Sequence, residues 1–122
     1  MTPTAKSKGV SVAKARRILL GSSGVEEGRS YGLPSFLLGG RFFARFRDDD
    51  TVLVLQIASI AEREILIQLD PDAFFFTEHY RDYPAVLIRL AAVPEGLLAS
   101  VIQETHLHAA SMPARRRARK RR

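Results

Sequence analysis

Between Ser11 and Leu20 the apolar positions Val12, Ala15 and Leu19 recur at i, i+3 and i+7, with Lys14 and Arg17 on the opposite side. That spacing lays one apolar stripe along a helix. The Ser11 hydroxyl can accept an unpaired amide of the first turn, so the pattern predicts a helix over 12–20, closed at Gly21. The stretch GSSGVEEGRSYGLP that follows is rich in turn formers and reads as a loop with a short extended piece near Tyr31.

The period changes in SFLLGGRFFARFR, where Gly39-Gly40 separates two β-prone runs. Glycine accepts the positive φ of a primed two-residue turn, so a hairpin is predicted that pairs Leu38 with Arg41, Leu37 with Phe42 and Phe36 with Phe43. Strict alternation then places Leu37, Phe42, Ala44 and Phe46 on one face. Phe36, Leu38, Arg41, Phe43, Arg45 and Arg47 take the other. An acidic turn at Asp48, Asp49 and Asp50 leads into a third strand, TVLVLQI.

Ser59 and Glu62 form the S-x-x-E pattern of a capping box, and Ala61, Ile65 and Leu69 follow at fourfold spacing. The run ILIQL also suits a strand, but the cap and the stop at Asp70-Pro71 favour a helix over 60–69. AFFFTEHY reads as a short strand, EHYRDYP as a loop and AVLIRLAAV as a strong β run. Pro94 opens a last helix, with Leu97, Leu98, Val101, Ile102 and Thr105 along its apolar stripe up to about Ala110. The order predicts a two-layer α+β fold, α-β(3)-α-β(2)-α, with an antiparallel sheet covered by helices on one side.

The chain of 122 residues, 46% hydrophobic and 26% charged, suits one globular domain over 10–112. A flexible basic arm is expected at 1–9 and a disordered basic tail at 113–122. The formal charge of +6 conceals a division. Residues 10–112 hold ten basic side chains against all thirteen acidic ones, a net −3, and the tail alone contributes seven positive charges. The high pI therefore belongs to the ends. Cysteine is absent, which excludes disulfides and thiolate chemistry. The first residues hold no apolar stretch of signal-peptide length and the apolar runs elsewhere are too short for a membrane span, so a cytoplasmic protein without membrane contact is expected.

GVEEGRSYGLPSF, GGRFFARF and DPDAFFFTEHYRDYPAVLIRLAAV, followed by an amphipathic helix, together resemble the MmcQ/YjbR-like family of small bacterial proteins. The resemblance spans roughly residues 10–110, and EHYRDYPAVLIRL is its most specific part. It implies an α-β(3)-α-β(2)-α two-layer fold, similar to secretion-chaperone and frataxin-like folds, and a double-wing DNA-binding role. It carries no catalytic signature, and the tail lies outside it.

Three surfaces carry candidate chemistry. The tail residues Arg115, Arg116, Arg117, Arg119, Lys120, Arg121 and Arg122 would displace counterions from nucleic-acid phosphates regardless of base sequence; the bland reading is a solvated end. On the hairpin's outer face, Arg41, Arg45 and Arg47 would hold phosphates, Phe43 would offer a stacking plane and Arg89 would join them; the bland reading is an ordinary solvent face. EHYRDYP gathers Glu78, His79, Tyr80, Arg81, Asp82 and Tyr83, where His79 suits acid–base work, although Tyr80 and Tyr83 read more simply as anchors to the core. His106 and His108 diverge on a helix, and no Walker or dinucleotide pattern occurs, so no metal and no cofactor are expected. The leading expectation is a non-enzymatic protein that binds DNA or RNA with weak sequence discrimination. The alternative is a small protein-interaction or chaperone-like module, including a homodimer.

Overall fold

The computed structural model describes residues 9–30, 33–47 and 51–111. The expected arm at 1–8, the acidic turn at 48–50 and the basic tail at 113–122 lie outside the described residues. Gly9, assigned to the arm from the sequence, is tied to the body by its N–H donating to the Val93 carbonyl at 2.9 Å.

Helix α1 (Val12–Leu20) leads into four strands, β1 (Val25–Ser30), β2 (Leu33–Leu38), β3 (Arg41–Arg47) and β4 (Val52–Gln56). Helix α2 (Ile60–Leu69), the two-residue β5 (Phe74–Phe75), a 3-10 turn (Glu78–Tyr80), β6 (Ala85–Arg89) and helix α3 (Glu95–Ala110) follow. The six strands form one antiparallel sheet in the order β1-β2-β3-β4-β6-β5. This is the predicted two-layer α+β architecture with one strand added. Four strands, not three, precede α2, because VEEGRS forms an edge strand in which Val25 is buried and Glu26 and Glu27 are exposed. Such a strand has no apolar alternation to betray it.

The caps behave as their residue types dictate. The Ser11 hydroxyl accepts from the Lys14 amide at 3.0 Å and Ser59 from the Glu62 amide at 3.1 Å. Gly39 and Gly40 adopt φ of +61° and +79°, the left-handed pair that a primed hairpin turn requires. Leu38 pairs with Arg41 and Leu37 with Phe42 as predicted, but Phe36 then pairs with Ala44. Phe43 is the extra residue of a β-bulge.

Helices α1, α2 and α3 lie against one face of the sheet, where Ala15, Leu19, Leu66, Leu98 and Ile102 join Phe36, Phe43, Leu53, Leu55, Phe74 and Ile88 in one core. Each fully buried residue of this size contributes about 1.5–3 kcal/mol. The opposite face carries a smaller cluster in which Tyr80 covers Val52, Val54, Ala85 and Leu87, flanked by Phe42 and Phe75. The loop EHYRDYP thus caps, through Tyr80, part of the face without helices.

A buried arginine fastens that cap. Arg63, on α2 and only 2% exposed, donates from Nη1 to the carbonyls of Tyr80 (2.8 Å), Tyr83 (3.0 Å) and Ala85 (3.2 Å). Its Nη2 donates to Arg81 O at 2.8 Å, and its guanidinium lies 4.0 Å from the Phe76 ring centroid. Four carbonyl dipoles and a π-face balance the charge where a carboxylate would be expected. Tyr80 is an anchor, buried to 5% exposure; Tyr83, read from the sequence as a second anchor, is exposed and stacks on Tyr80 with ring centroids 6.3 Å apart.

Candidate functional site

On the sheet face away from the helices, cross-strand registers set out two rows. Arg47, Val52 and Arg89 form one; Arg45, Val54, Leu87 and Phe75 form the next. Two strand spacings of ~4.8 Å put Arg47 and Arg89 about 10 Å apart at the backbone, and two residues of strand rise put Arg45 about 7 Å from Arg47. Three arginines therefore surround the apolar strip of β4.

Uncharged groups hold two of them. Arg45 Nη2 donates to the Tyr80 hydroxyl at 2.8 Å. Arg89 Nη1 donates to the Asp72 carbonyl at 3.1 Å, and its guanidinium sits 4.0 Å from the Phe75 ring centroid. A phenol, a carbonyl and a π-face orient a guanidinium without cancelling its charge, so both cations are placed and remain positive. Glu27 pairs with Arg16 at 2.5 Å, Glu95 with Lys14 at 3.4 Å and Glu78 with Arg81 at 2.6 Å.

The bulge corrects two of the sequence-derived assignments. Phe43, expected outside as a stacking plane, points into the core at 1% exposure and meets the His106 ring edge-on at 6.3 Å. Phe42 takes the outer position, half-buried in the Tyr80 cluster. Arg41 also changes sides: it lines a cavity beside the C-terminal part of α3, apart from Arg45, Arg47 and Arg89. FFA between Arg41 and Arg45 was the available signal, since three consecutive apolar residues cannot alternate and a bulge lets two of them share the core face.

Arg115, Arg116, Arg117, Arg119, Lys120, Arg121 and Arg122 lie outside the described residues. In the loop, His79 is exposed and packs edge-on against Tyr80 at 4.7 Å. His106 Nε2 lies 2.6 Å from the Ser23 carbonyl, a contact that joins α3 to the turn before β1. Reading the sequence missed Arg63 and the Arg45–Tyr80 bond, because both depend on where a loop folds back.

No protein-family model matches the chain, and no curated protein does. The structure is similar to the crystal structure of protein DR2400 of Deinococcus radiodurans, which carries a DUF419 domain. The TM-score is 0.69 at 20% identity, over 83% of this chain and 79% of that one, and at this identity the likeness is one of fold. Among the described residues no helix is long and apolar enough to cross a membrane.

Proposed function

We propose that this chain is a non-enzymatic nucleic-acid-binding protein of the MmcQ/YjbR-like kind, acting in the cytoplasm with weak sequence discrimination. The observation that carries the reading is the Arg45, Arg47 and Arg89 group on one sheet face, two of whose members are oriented by uncharged partners. Guanidiniums so placed suit phosphate oxygens and would set the register of a backbone, while few groups are positioned to read bases. The tail supplies non-specific affinity. Its seven charges account for up to about six units of the log–log salt slope, and three sheet arginines for up to about 2.7.

The test is binding of labelled single- and double-stranded DNA and RNA against salt. It compares the full chain, a truncation after Met112, and Arg47→Ala/Arg89→Ala in both backgrounds. The truncated body should still bind at low salt, and the double substitution should flatten its slope by about two units. A body that binds nothing, or whose slope ignores the double substitution, removes the sheet face from the proposal. A full chain that fails at low salt removes nucleic acid altogether.

A second reading, a protein-interaction module, draws on Ile65 and Leu69, which lie four residues apart on α2 and are 60% and 62% exposed. It predicts self-association or partner binding that Ile65→Lys/Leu69→Lys abolishes. A monomer at all concentrations by light scattering, with no change in the double variant, counts against the homodimer form.

A further inference from the structure

The bulge at Phe43 sends the arginines of β3 to opposite sides, and Arg41 goes where the nucleic-acid reading has no use for it. A cavity of about 300 Å³ opens between the turn end of the β2–β3 hairpin, the exit of β4 and the last turns of α3. Leu38, Phe42 and Ile57 supply apolar wall, Gln56 and His108 supply polar groups, and Arg41 is the one arginine or lysine among the described residues that line it. No carboxylate lines it among the described residues.

Arg41 Nε is buried and has no hydrogen-bond partner among the described residues. A guanidinium N–H withdrawn from water and given no acceptor is a destabilising arrangement, and one that an incoming acceptor relieves. The end of α3 does not supply that acceptor. Two of its last carbonyls are engaged by the cap, the Ser111 amide donating to the Leu107 and His108 carbonyls at 3.2 Å and the Ser111 hydroxyl to His108 O at 2.7 Å. A concave site of this size with apolar walls and one oriented cation matches the usual form of a small-molecule pocket. The planar fork of arginine fits a carboxylate in two parallel hydrogen bonds.

We infer that this cavity binds a small carboxylic acid with an aliphatic or aromatic body, its carboxylate on Arg41 and its body against Leu38, Phe42 and Ile57. The site is independent of the Arg45, Arg47 and Arg89 face, and it stands whether or not the chain binds nucleic acid.

The test is an NMR titration of the full chain with phenylacetate and with hexanoate, each set against its uncharged amide, phenylacetamide or hexanamide. At least one acid should give saturable shifts at the Gln56, Ile57 and His108 amides and at the Arg41 Nε–H, with a Kd of about 1 mM or tighter. Its amide should bind about tenfold more weakly, and Arg41→Gln should raise the acid's Kd about tenfold. Arg41 sits beside an exposed turn and only partly inside, so the variant keeps its fold, and an unchanged Tm verifies that. Arg41→Lys should recover only part of the affinity, because an ammonium lacks the fork. The inference is overturned if neither acid saturates by about 20 mM, if acid and amide bind alike, or if Arg41→Gln leaves the affinity unchanged.

Discussion

Replacing Arg63 by methionine keeps an unbranched side chain of similar reach on α2 and removes the donors that hold the Glu78–Ala85 segment. Four carbonyls lose a donor. Those of Tyr80 and Tyr83 keep the backbone amides of Tyr83 (3.0 Å) and Ala85 (2.7 Å), and that of Arg81 is bonded in part-buried surroundings and can recover water. The Ala85 carbonyl is bonded in buried surroundings, and left empty it costs about 1–3 kcal/mol, with about 1 kcal/mol more for the second bond lost at buried Tyr80 O. Methionine offsets some of this, because it carries no charge to desolvate and leaves no unpaired Nε. The net expectation is a loss of about 2 kcal/mol, a sizeable part of the stability of a domain this size. Lysine at 63 should do no better, since one ammonium cannot serve carbonyls spread along the loop. Urea unfolding gives the global loss. Hydrogen exchange locates it, with amides of 78–85 losing protection before those of β4 and α3. Arg63→Met within about 0.5 kcal/mol of the parent, with the loop still protected, would refute the claim that this arginine fastens the cap.

Phe43→Ala should cost about 3–5 kcal/mol, as for a fully buried ring, while Phe42→Ala should cost clearly less because Phe42 is half-buried. Chemical denaturation of the two variants checks this directly, and equal losses would deny the bulge. Gly40→Ala should cost about 1–2 kcal/mol. No heavy atom lies within 4 Å of the added methyl, so the whole effect comes from φ of +79°. Gly40→Asn should be better tolerated, and a Gly40→Ala variant of unchanged Tm would count against the primed turn.

Most of the fold was written locally. Helices α1 and α2 begin after Ser11 and Ser59 and end at Gly21 and Asp70 as those residues direct, α3 begins one residue past Pro94, which is its N-cap and not its first residue, and the glycine pair gives the turn its type. β1 was not legible as a strand, because an edge strand with one face toward solvent can be built from VEEGRS. VLVL in β4 and AVLI in β6 held a clue to the cap. All eight residues are buried, and a strand without polar alternation is covered on both faces. The sequence could show that something covers the second face; it could not show that EHYRDYP does so, since the fastening runs from Arg63 to backbone carbonyls that any side chains would present.

The candidate site turns on a single inserted residue. A regular hairpin would have put Arg41, Phe43, Arg45 and Arg47 on one surface, a basic stripe with an aromatic in its middle. The bulge buries that aromatic and takes Arg41 away, which leaves Arg45 and Arg47 beside Arg89 on a face partly roofed by Tyr80. On the proposed reading, a stacking site for bases becomes a place for phosphates, and the body loses the grip on unpaired bases that an exposed ring would have given it. The two arginine sites can be separated by experiment for the same reason. Arg41→Gln should leave the salt slope for nucleic acid unchanged, and Arg47→Ala/Arg89→Ala should leave carboxylate binding unchanged. Cross-talk between them would mean that the bulge does not divide the surface as its register indicates.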